Sequence, residues 1–373
     1  MGGAVDCQLL VGSDAFWTRA AGDMGRAQRR LFVQAMTFEG DSVGMRVAAA
    51  ISASPAADRR VLVDSYTRLV VSDRLVCSPS GLLSGDLRAE VRATKAMFKA
   101  LSGAGVGVRW TNPLGACFWR YPARNHKKLI VADDVAYIGG INFSEHNFAW
   151  RDFMLRLEGE AAARFLADDF EATYRGAPRP SSRDFGELRL HCLDGRANAV
   201  AFGEILRLIG EAQSSITVVS PYLTFPFTDA LAGAARRGAE VRVLTPLANN
   251  KPIVRAYLLH AARKAGIAVH LLPRMTHEKG ILIDGRCLVV GSSNFDFVSL
   301  AAEEELLAVT TERTLIEDFT GRILAPALAE ALPPGARRAS KVAGLGSHLA
   351  LRLAQGAVQI ARRSRRTAKD WRA

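Results

Sequence analysis

Cysteine is scarce in this sequence, and no two cysteines lie close together. Five occur among 373 residues, and none belongs to a C-x-x-C pair. An odd number of widely spaced thiols indicates neither a zinc site nor a disulfide framework. The sequence therefore predicts reduced, buried thiols in a cytosolic protein. The five are Cys7, Cys77, Cys117, Cys192 and Cys287.

Long hydrophobic runs are also missing. No apolar stretch reaches the roughly 20 residues that a membrane-spanning helix requires. The N-terminal stretch MGGAVDCQLLVGSDAFW has neither the basic start nor the long apolar centre of a secretory signal. With 49% hydrophobic and 23% charged residues, the composition is typical of a globular protein, and the length suffices for two domains. We therefore expect a cytoplasmic protein without a membrane-spanning segment.

Acidic residues are nearly absent from the C-terminal segment. Residues 336–373 contain ten Lys or Arg and a single acid, Asp370, so most of the formal net charge of +12 lies there. The rest of the chain is nearly balanced. A basic terminal segment favours an anionic partner, which is either a membrane surface or a nucleic acid.

The chain contains an internal repeat. The pattern H-x-K-x4-D occurs twice, 151 residues apart, first in NHKKLIVADD and then in THEKGILIDG. The copies are His126, Lys128 and Asp133, and His277, Lys279 and Asp284. Each is followed by a glycine-containing turn and an asparagine, Asn142 or Asn294. One such pattern arises easily by chance, whereas two copies with matching flanks do not, so the repeat predicts two related halves.

Each motif falls on a short apolar run that is typical of a β-strand. On a strand, the His and the Lys two residues later point to one side, and the residue between them faces away. If the halves meet around a pseudo-twofold axis, two His, two Lys and two Asn surround one point. Such a set suits phosphoryl transfer, because Lys and Asn bind the non-bridging oxygens while one His attacks and the other protonates the leaving oxygen. No acidic cluster with metal-ligand spacing accompanies the motifs, so we expect neither a metal nor a cofactor.

Each histidine needs an acid that orients its ring. Asp152 follows the first asparagine by ten residues, and Glu303, Glu304 and Glu305 follow the second by nine to eleven. Asp152 and Glu305 are the predicted orienting residues. Glu303 and Glu304 fit a solvated acidic helix start equally well.

The two motif aspartates leave two interpretations open. The pattern groups Asp133 and Asp284 with the catalytic residues. Their position at the end of the strand favours a role in bracing a turn or pairing with a basic group.

Alternating helical and Val/Ile/Leu-rich segments predict an α/β fold. The strand candidates come in pairs from the two halves, at 31–38 and 215–223, 59–66 and 239–247, and 104–110 and 265–272. A linker rich in Pro, Ser and Arg at 175–187 separates the halves. The predicted domains are residues 1–178 with the first motif and 179–332 with the second, followed by a basic amphipathic segment, 336–373.

The duplicated H-x-K-x4-D motif resembles that of the phospholipase D superfamily. The resemblance covers residues 30–320 and is greatest to its bacterial cardiolipin synthases, in RNHKKLIVADD, IGGINF, FEGDSVG and ARRGAEVRVLTP. It implies two pseudo-symmetric α/β/α sandwich domains with the active site at their interface. It also implies a covalent phosphatidyl-histidine, with His126 as the nucleophile and His277 as the general acid and base.

The C-terminal segment has an apolar stripe at three- and four-residue spacing. The stripe consists of Leu345, Leu349, Leu353, Gly356 and Ile360, and a basic cluster follows with Arg362, Arg363, Arg365, Arg366 and Trp371. Leu351 and Val358 fall outside the stripe. This combination is typical of an interfacial helix on anionic lipid and predicts peripheral attachment to the inner face of the cell membrane. The alternatives are a solvated basic tail and a helix docked on the body.

Three activities fit these features. The first is a phosphatidyltransferase that joins phosphatidylglycerol molecules into cardiolipin, the second a phospholipase D hydrolase that releases phosphatidic acid, and the third a phosphodiesterase nuclease. The nearly neutral body makes nucleic acid an unexpected partner, and two intact motifs argue against a non-enzymatic binding protein. We expect an anionic phospholipid substrate and leave the oligomeric state open.

Overall fold

The computed structural model describes residues 5–115, 118–332 and 340–363. The chain divides into two compact units, Met1–Ser181 and Ser182–Arg363. The sequence places the division at residues 178–179.

The first unit is built on a seven-stranded mixed sheet. The strands of the whole unit, including two outside this sheet, are β1 (Asp6–Val11), β2 (Arg30–Ala35), β3 (Asp58–Asp64), β4 (Val70–Val71), β5 (Arg74–Leu75), β6 (Gly107–Thr111), β7 (Leu129–Ala132), β8 (Val135–Gly139) and β9 (Phe153–Glu158). Its helices are α1 (Ser13–Arg26), α2 (Ser42–Ala53), α3 (Pro79–Leu83), α4 (Gly85–Gly103), α5 (Glu145–Ala149) and α6 (Glu160–Tyr174). The sheet order is β1-β9-β8-β7-β2-β3-β6, and β4 pairs with β5 apart from it.

The second unit is built on an eight-stranded mixed sheet. Its strands are β10 (Ser181–Phe185), β11 (Leu188–Cys192), β12 (Ser215–Val219), β13 (Glu240–Pro246), β14 (Ala268–Leu272), β15 (Gly280–Ile283), β16 (Cys287–Gly291) and β17 (Leu306–Thr310). Its helices are α7 (Ala199–Glu211), α8 (Phe227–Arg236), α9 (Pro252–Ala265), α10 (Phe297–Ala302), α11 (Arg313–Phe319), α12 (Ala325–Glu330) and α13 (Lys341–Arg363). The sheet order is β10-β11-β17-β16-β15-β12-β13-β14.

The two sheets repeat the same topology. The order β1-β9-β8-β7-β2-β3-β6 corresponds strand by strand to β11-β17-β16-β15-β12-β13-β14. In both sheets the last three strands are parallel and the remaining pairs are antiparallel. The internal repeat of the sequence is therefore a repeat of a whole sheet, to which the second unit adds β10 at one edge.

Helices cover both faces of each sheet. In β2, Leu31 and Val33 pack in the core formed with α1, α2 and α4, while Phe32 points the other way and stacks on Phe170 of α6, with ring centroids 4.7 Å apart. This alternation is the two-residue period of a strand that is buried on both faces. In the second unit, α7, α8 and α9 cover one face. On the other face, Gly280 of β15 lies against Phe319 of α11. The predicted α/β class with two sandwich domains is confirmed.

Two expectations from the sequence are wrong. Residues 175–187 are not wholly a linker, because β10 lies within them and pairs with β11 at the sheet edge. Gly186, at φ +66°, supplies the left-handed backbone of the turn that joins the two strands. The thiols are not all buried, because Cys77 is exposed.

Helix α13 packs against α9 and α10 of the second unit. The docked alternative therefore applies to this helix as far as it is described. Arg365, Arg366 and Trp371 lie outside the described residues, and of Arg363 only the backbone is described. Among the helices of the described ranges, none combines the length and the hydropathy needed to span a bilayer.

Candidate active site

His126 and Lys128 of the first motif lie immediately before β7. His126 is 6% exposed, and Lys128 is fully buried. The Lys128 Nζ donates a hydrogen bond of 2.7 Å to the carbonyl of His126, which holds the ammonium beside the histidine. Lys127 points to the opposite face, where its Nζ lies 2.7 and 2.8 Å from the carboxylate oxygens of Asp169 on α6. The segment that leads into β7 thus presents His126 and Lys128 together and uses Lys127 for an ion pair on the other side.

The second motif repeats this arrangement at the start of β15. His277 is 5% exposed, Lys279 is fully buried, and the Lys279 Nζ donates to the carbonyl of His277. The ring of Tyr222 stands edge-on to His277, with centroids 6.5 Å apart. A buried ammonium fixed next to an imidazole supplies positive charge to an anion that binds there.

A buried network positions the backbone just before His126. The Asp64 carboxylate accepts the backbone N–H of Asn125 at 2.6 Å and an Arg124 N–H at 2.8 Å. The side-chain oxygen of Asn125 accepts from Gln34 at 2.8 Å. Sequence reasoning did not identify Asp64 or Gln34 as contributors to the site. One feature of the sequence could have indicated Asp64, which is the last residue of β3. Polar groups at the carboxyl ends of parallel strands commonly face a ligand site.

The predicted orienting acids occupy equivalent places in the two units. Gly140 and Ser292 each donate a backbone N–H to the carbonyl of the residue after the acid, at 3.3 and 2.9 Å. In the first unit, an added Cβ at Gly140 would lie 2.4 Å from both carboxylate oxygens of Asp152. In the second unit, the Ser292 hydroxyl donates to the carboxylate of Glu305. Asp152 and Glu305 are therefore structural counterparts, and each contacts the turn that follows its motif.

The two motif asparagines, in contrast, differ in their hydrogen bonds. The Asn142 side-chain oxygen accepts the backbone N–H of Thr37 at 3.2 Å. The Asn294 side-chain oxygen is buried and has no hydrogen-bond partner among the described residues. A buried amide oxygen without a partner costs free energy, so the Asn294 amide has capacity to bind a ligand.

The two motif aspartates hold the far ends of the motif strands. Asp133 accepts the backbone N–H groups of residues 28–30, and Asp284 those of residues 213–215. Both residues have a left-handed backbone, with φ +52° and +51°. Burial alone would raise the pKa of each carboxyl, but the donated N–H groups outweigh it and hold both pKa values below the usual range. This geometry favours the bracing interpretation over a catalytic role.

Glu303, Glu304 and Glu305 do not form a solvated helix start, because all three are at least nine-tenths buried after the end of α10. The Ser299 hydroxyl oxygen lies 2.9 Å from a carboxyl oxygen of Glu303 and 2.8 Å from one of Glu305, so it hydrogen-bonds both. Burial, followed by repulsion from Glu305 and Asp296, raises the pKa of Glu303 to about 8. Glu303 is therefore protonated at neutral pH.

The buried Glu303 should make stability depend on pH. Its pKa is about 8 in the folded protein and 4.5 when unperturbed. Between these values the folded state holds a proton that the unfolded state has lost, so the free energy of unfolding falls as pH rises. Glu303→Gln should weaken this dependence. Hydrogen exchange of β17 amides at pH 5 and pH 8 measures this pH dependence, and Glu317→Gln, at an exposed position, is the control. The same change in free energy with pH in wild type and both variants would contradict the raised pKa of Glu303.

A second acidic group lies in the first unit. Carboxylate oxygens of Glu39, Asp41 and Glu90 lie within 4.8 Å of one another, a spacing that could hold a cation. Burial raises the pKa of Glu39 to about 8, and Ser72 donates hydrogen bonds to both Glu39 and Glu90.

Comparison with known proteins shows similarity in the second half of the sequence and in the whole fold. Residues 205–324 match the family model of the cardiolipin synthase, PLD-like domain. The crystal structure of phosphatidylserine synthase from Haemophilus influenzae has the same fold, with a TM-score of 0.71, 14% identity and 95% coverage of both chains. The matched segment and the relatives below support the resemblance to the phospholipase D superfamily.

The chain is similar to bacterial cardiolipin synthases. Cardiolipin synthase B of Shigella flexneri is 28% identical over 355 residues, which cover 85% of this chain and 80% of that protein. Cardiolipin synthase B of Escherichia coli K12 has the same identity and coverage.

Proposed function

We propose that this protein is a phosphatidyltransferase that converts two phosphatidylglycerol molecules into cardiolipin and glycerol. The observation that carries the proposal is the duplicated His and Lys arrangement, in which each lysine donates to the carbonyl of its own histidine. Two histidines allow one to attack phosphorus while the other manages the proton, as a two-step transfer requires. Similarity to cardiolipin synthases supports phosphatidylglycerol as the donor.

The reaction proceeds through a phosphohistidine. In the first step, a ring nitrogen of His126 attacks the phosphorus. The bond between phosphorus and the headgroup glycerol oxygen breaks, and that oxygen takes a proton from His277. In the second step, His277 takes the hydroxyl proton of another phosphatidylglycerol, whose oxygen attacks the phosphorus and releases His126. Lys128 and Lys279 stabilise the charge on the non-bridging oxygens, and the Asn142 and Asn294 amides bind them.

Asp152 and Glu305 orient the histidines in this scheme. A carboxylate on one ring nitrogen fixes the tautomer, so that the other nitrogen faces phosphorus, and it stabilises the imidazolium when the ring gains a proton. Their equivalent positions beside the two motif turns support this role.

Product analysis tests the proposal. Full-length protein is incubated with phosphatidylglycerol in mixed detergent micelles, with a chelator present, and products are identified by mass spectrometry. We expect cardiolipin and glycerol in equal amounts. Phosphatidic acid without cardiolipin would identify a hydrolase instead, and cleavage of oligonucleotides in place of lipid would identify a nuclease.

The covalent intermediate is tested separately. A phosphatidyl donor labelled at phosphorus is mixed with the enzyme and quenched in alkali, in which phosphohistidine survives. We expect label on His126, and its absence under conditions of rapid turnover would contradict the two-step route.

A further inference from the structure

Helix α13 has two opposite apolar faces, and the described residues cover only one of them. The face that packs on the second unit contains Ser347, Leu351 and Val358, each at most 8% exposed. The uncovered face carries Val342, Leu345, Leu349, Leu353 and Ile360, each between 60% and 82% exposed. At about 100° per residue, the centres of the two faces lie roughly 170° apart. The stripe recognised in the sequence is thus the one that the fold leaves in solvent.

Specific contacts fix α13 in this orientation. Gly344 lies so close to α9 that an added Cβ would be 2.6 Å from the Cβ of His260. The ring of His348 stacks on Tyr257 with centroids 5.6 Å apart, and the Arg352 guanidinium lies 3.8 Å from the centre of the Phe225 ring. Cation–π and stacking contacts of this kind hold a helix in one rotational setting. The apolar stripe is therefore presented outward by a docked helix.

A basic cavity opens beside the stripe. Its volume is about 320 Å³, and it lies between α8, α9 and α13. Arg236, His260, Lys264 and His348 line it, and Leu345 belongs to both the cavity wall and the stripe. Among the described residues, neither Arg236 nor Lys264 forms an ion pair. Asp229 is an acid in the cavity wall, and its Oδ2 lies 3.8 Å from Nη2 of Arg352 on α13.

We propose that this cavity binds the phosphate of an anionic phospholipid while the stripe enters the surface of the bilayer. The two cations without partners complement the lipid charge, and the two imidazoles can donate hydrogen bonds to phosphate oxygens. The adjoining stripe supplies the apolar area that an interfacial helix buries among acyl chains. The proposal rests on the proposed function only for the choice of phosphatidylglycerol as the lipid.

Charge favours a lipid surface over a second copy of the chain. In a two-fold contact, the same patch meets itself. A parallel pairing of two α13 helices would bring the two basic cavities together. An antiparallel pairing would bring each cavity to the basic end of the other helix, at Arg362. Both arrangements oppose like charges, whereas an anionic bilayer neutralises them.

Vesicle binding of the full chain tests the proposal. Wild type should co-sediment with vesicles of phosphatidylglycerol and phosphatidylcholine, and not with phosphatidylcholine alone. Arg236→Glu/Lys264→Glu should lower the partition coefficient at least tenfold. The control is Arg263→Glu. Arg263 is exposed and lies on the same helix as Lys264, but it does not line the cavity. This variant should change the partition coefficient less than twofold per charge.

The stripe is tested with a second pair of variants. Leu349→Asp/Leu353→Asp should reduce partitioning at least tenfold. Val200→Asp, at an 82% exposed position on α7, should leave it within twofold of wild type. Variants that bind like their controls, or wild type that binds neutral vesicles equally well, would overturn the proposal. Light scattering that shows a dimer abolished by the stripe variant would assign the face to a second copy.

Activity in detergent micelles separates this proposal from the proposed function. Cavity and stripe variants should keep wild-type turnover there, because micellar substrate needs no vesicle docking. If wild type binds anionic vesicles as expected but forms no cardiolipin, the proposed function fails and the lipid site stands. If cardiolipin forms and the cavity variants bind vesicles normally, the lipid site alone is wrong.

Discussion

His126→Asn and His277→Asn should each lower cardiolipin formation by at least about a thousandfold while the fold remains intact. Asparagine fills most of the buried space of the imidazole but neither attacks phosphorus at a useful rate nor exchanges a proton near neutral pH. The backbone carbonyls that accept from Lys128 and Lys279 are retained, so the lysines should stay in place. Product formation in micelles measures the loss, and thermal unfolding checks the fold.

A matched control and an activated substrate sharpen this experiment. His270→Asn, on β14 and outside both motifs, should leave turnover unchanged. A phosphatidyl donor with a nitrophenolate leaving group needs no proton from the enzyme. It should therefore restore the first step in His277→Asn and not in His126→Asn. Full turnover of either asparagine variant on phosphatidylglycerol would refute the two-histidine mechanism, and rescue of His126→Asn instead would exchange the two roles.

Lys127→Met should lower the free energy of unfolding of the first unit by about 3–5 kcal/mol. Lys127 and Asp169 are 0% and 1% exposed, and the ammonium lies 2.7 Å from a carboxylate oxygen. Removing the ammonium leaves a buried carboxylate whose loss of hydration is no longer offset. Tryptophan fluorescence during denaturant unfolding, measured in a Trp371→Phe background, isolates this unit, because the other four tryptophans, Trp17, Trp110, Trp119 and Trp150, lie within it.

Two further variants show whether burial is the cause. Lys127→Met/Asp169→Leu should recover most of the loss, because no buried charge is left unpaired. Arg175→Met, which breaks the exposed pair between Arg175 and Glu171 at the end of α6, should cost less than about 1 kcal/mol. Equal losses for Lys127→Met and Arg175→Met would contradict the role assigned to the buried pair.

The repeat and the strand alternation could be predicted from the sequence because both are local patterns. Each H-x-K motif places two side chains on one face of its strand, and Lys127 faces the other way because a strand has a period of two. The sequence repeat also predicts a repeated sheet topology, since similar segments in the same order form similar sheets. The position of Asp133 and Asp284 at the ends of their strands already favoured their bracing role.

The contacts that hold the motifs could not be predicted in the same way. Asn125 depends on Asp64 and Gln34, which are 61 and 91 residues away along the chain. The ion pair that Lys127 forms with Asp169 spans 42 residues. A polar residue in a sequence shows no partner, and only the folding of the sheet brings these groups together in an environment where the pairing matters.

The glutamates after the second motif show the same limit. Three consecutive acids are typical of a solvated segment, because charged side chains are seldom buried. In the structure they lie between the end of α10 and the start of β17 and are at least nine-tenths buried, and the Ser299 hydroxyl hydrogen-bonds two of them. The raised pKa of Glu303 is therefore a property of tertiary packing.

By itself, the sequence determined two related α/β halves, a His, a Lys and an Asn at matching places in each, and an amphipathic basic helix at the C-terminus. The tertiary structure alone decided which face of that helix is covered. Leu351 and Val358, outside the recognised stripe, became its docking face, and the stripe remained in solvent. The physical reason is that periodicity identifies a face as apolar, whereas what covers that face depends on the shape of the neighbouring helices.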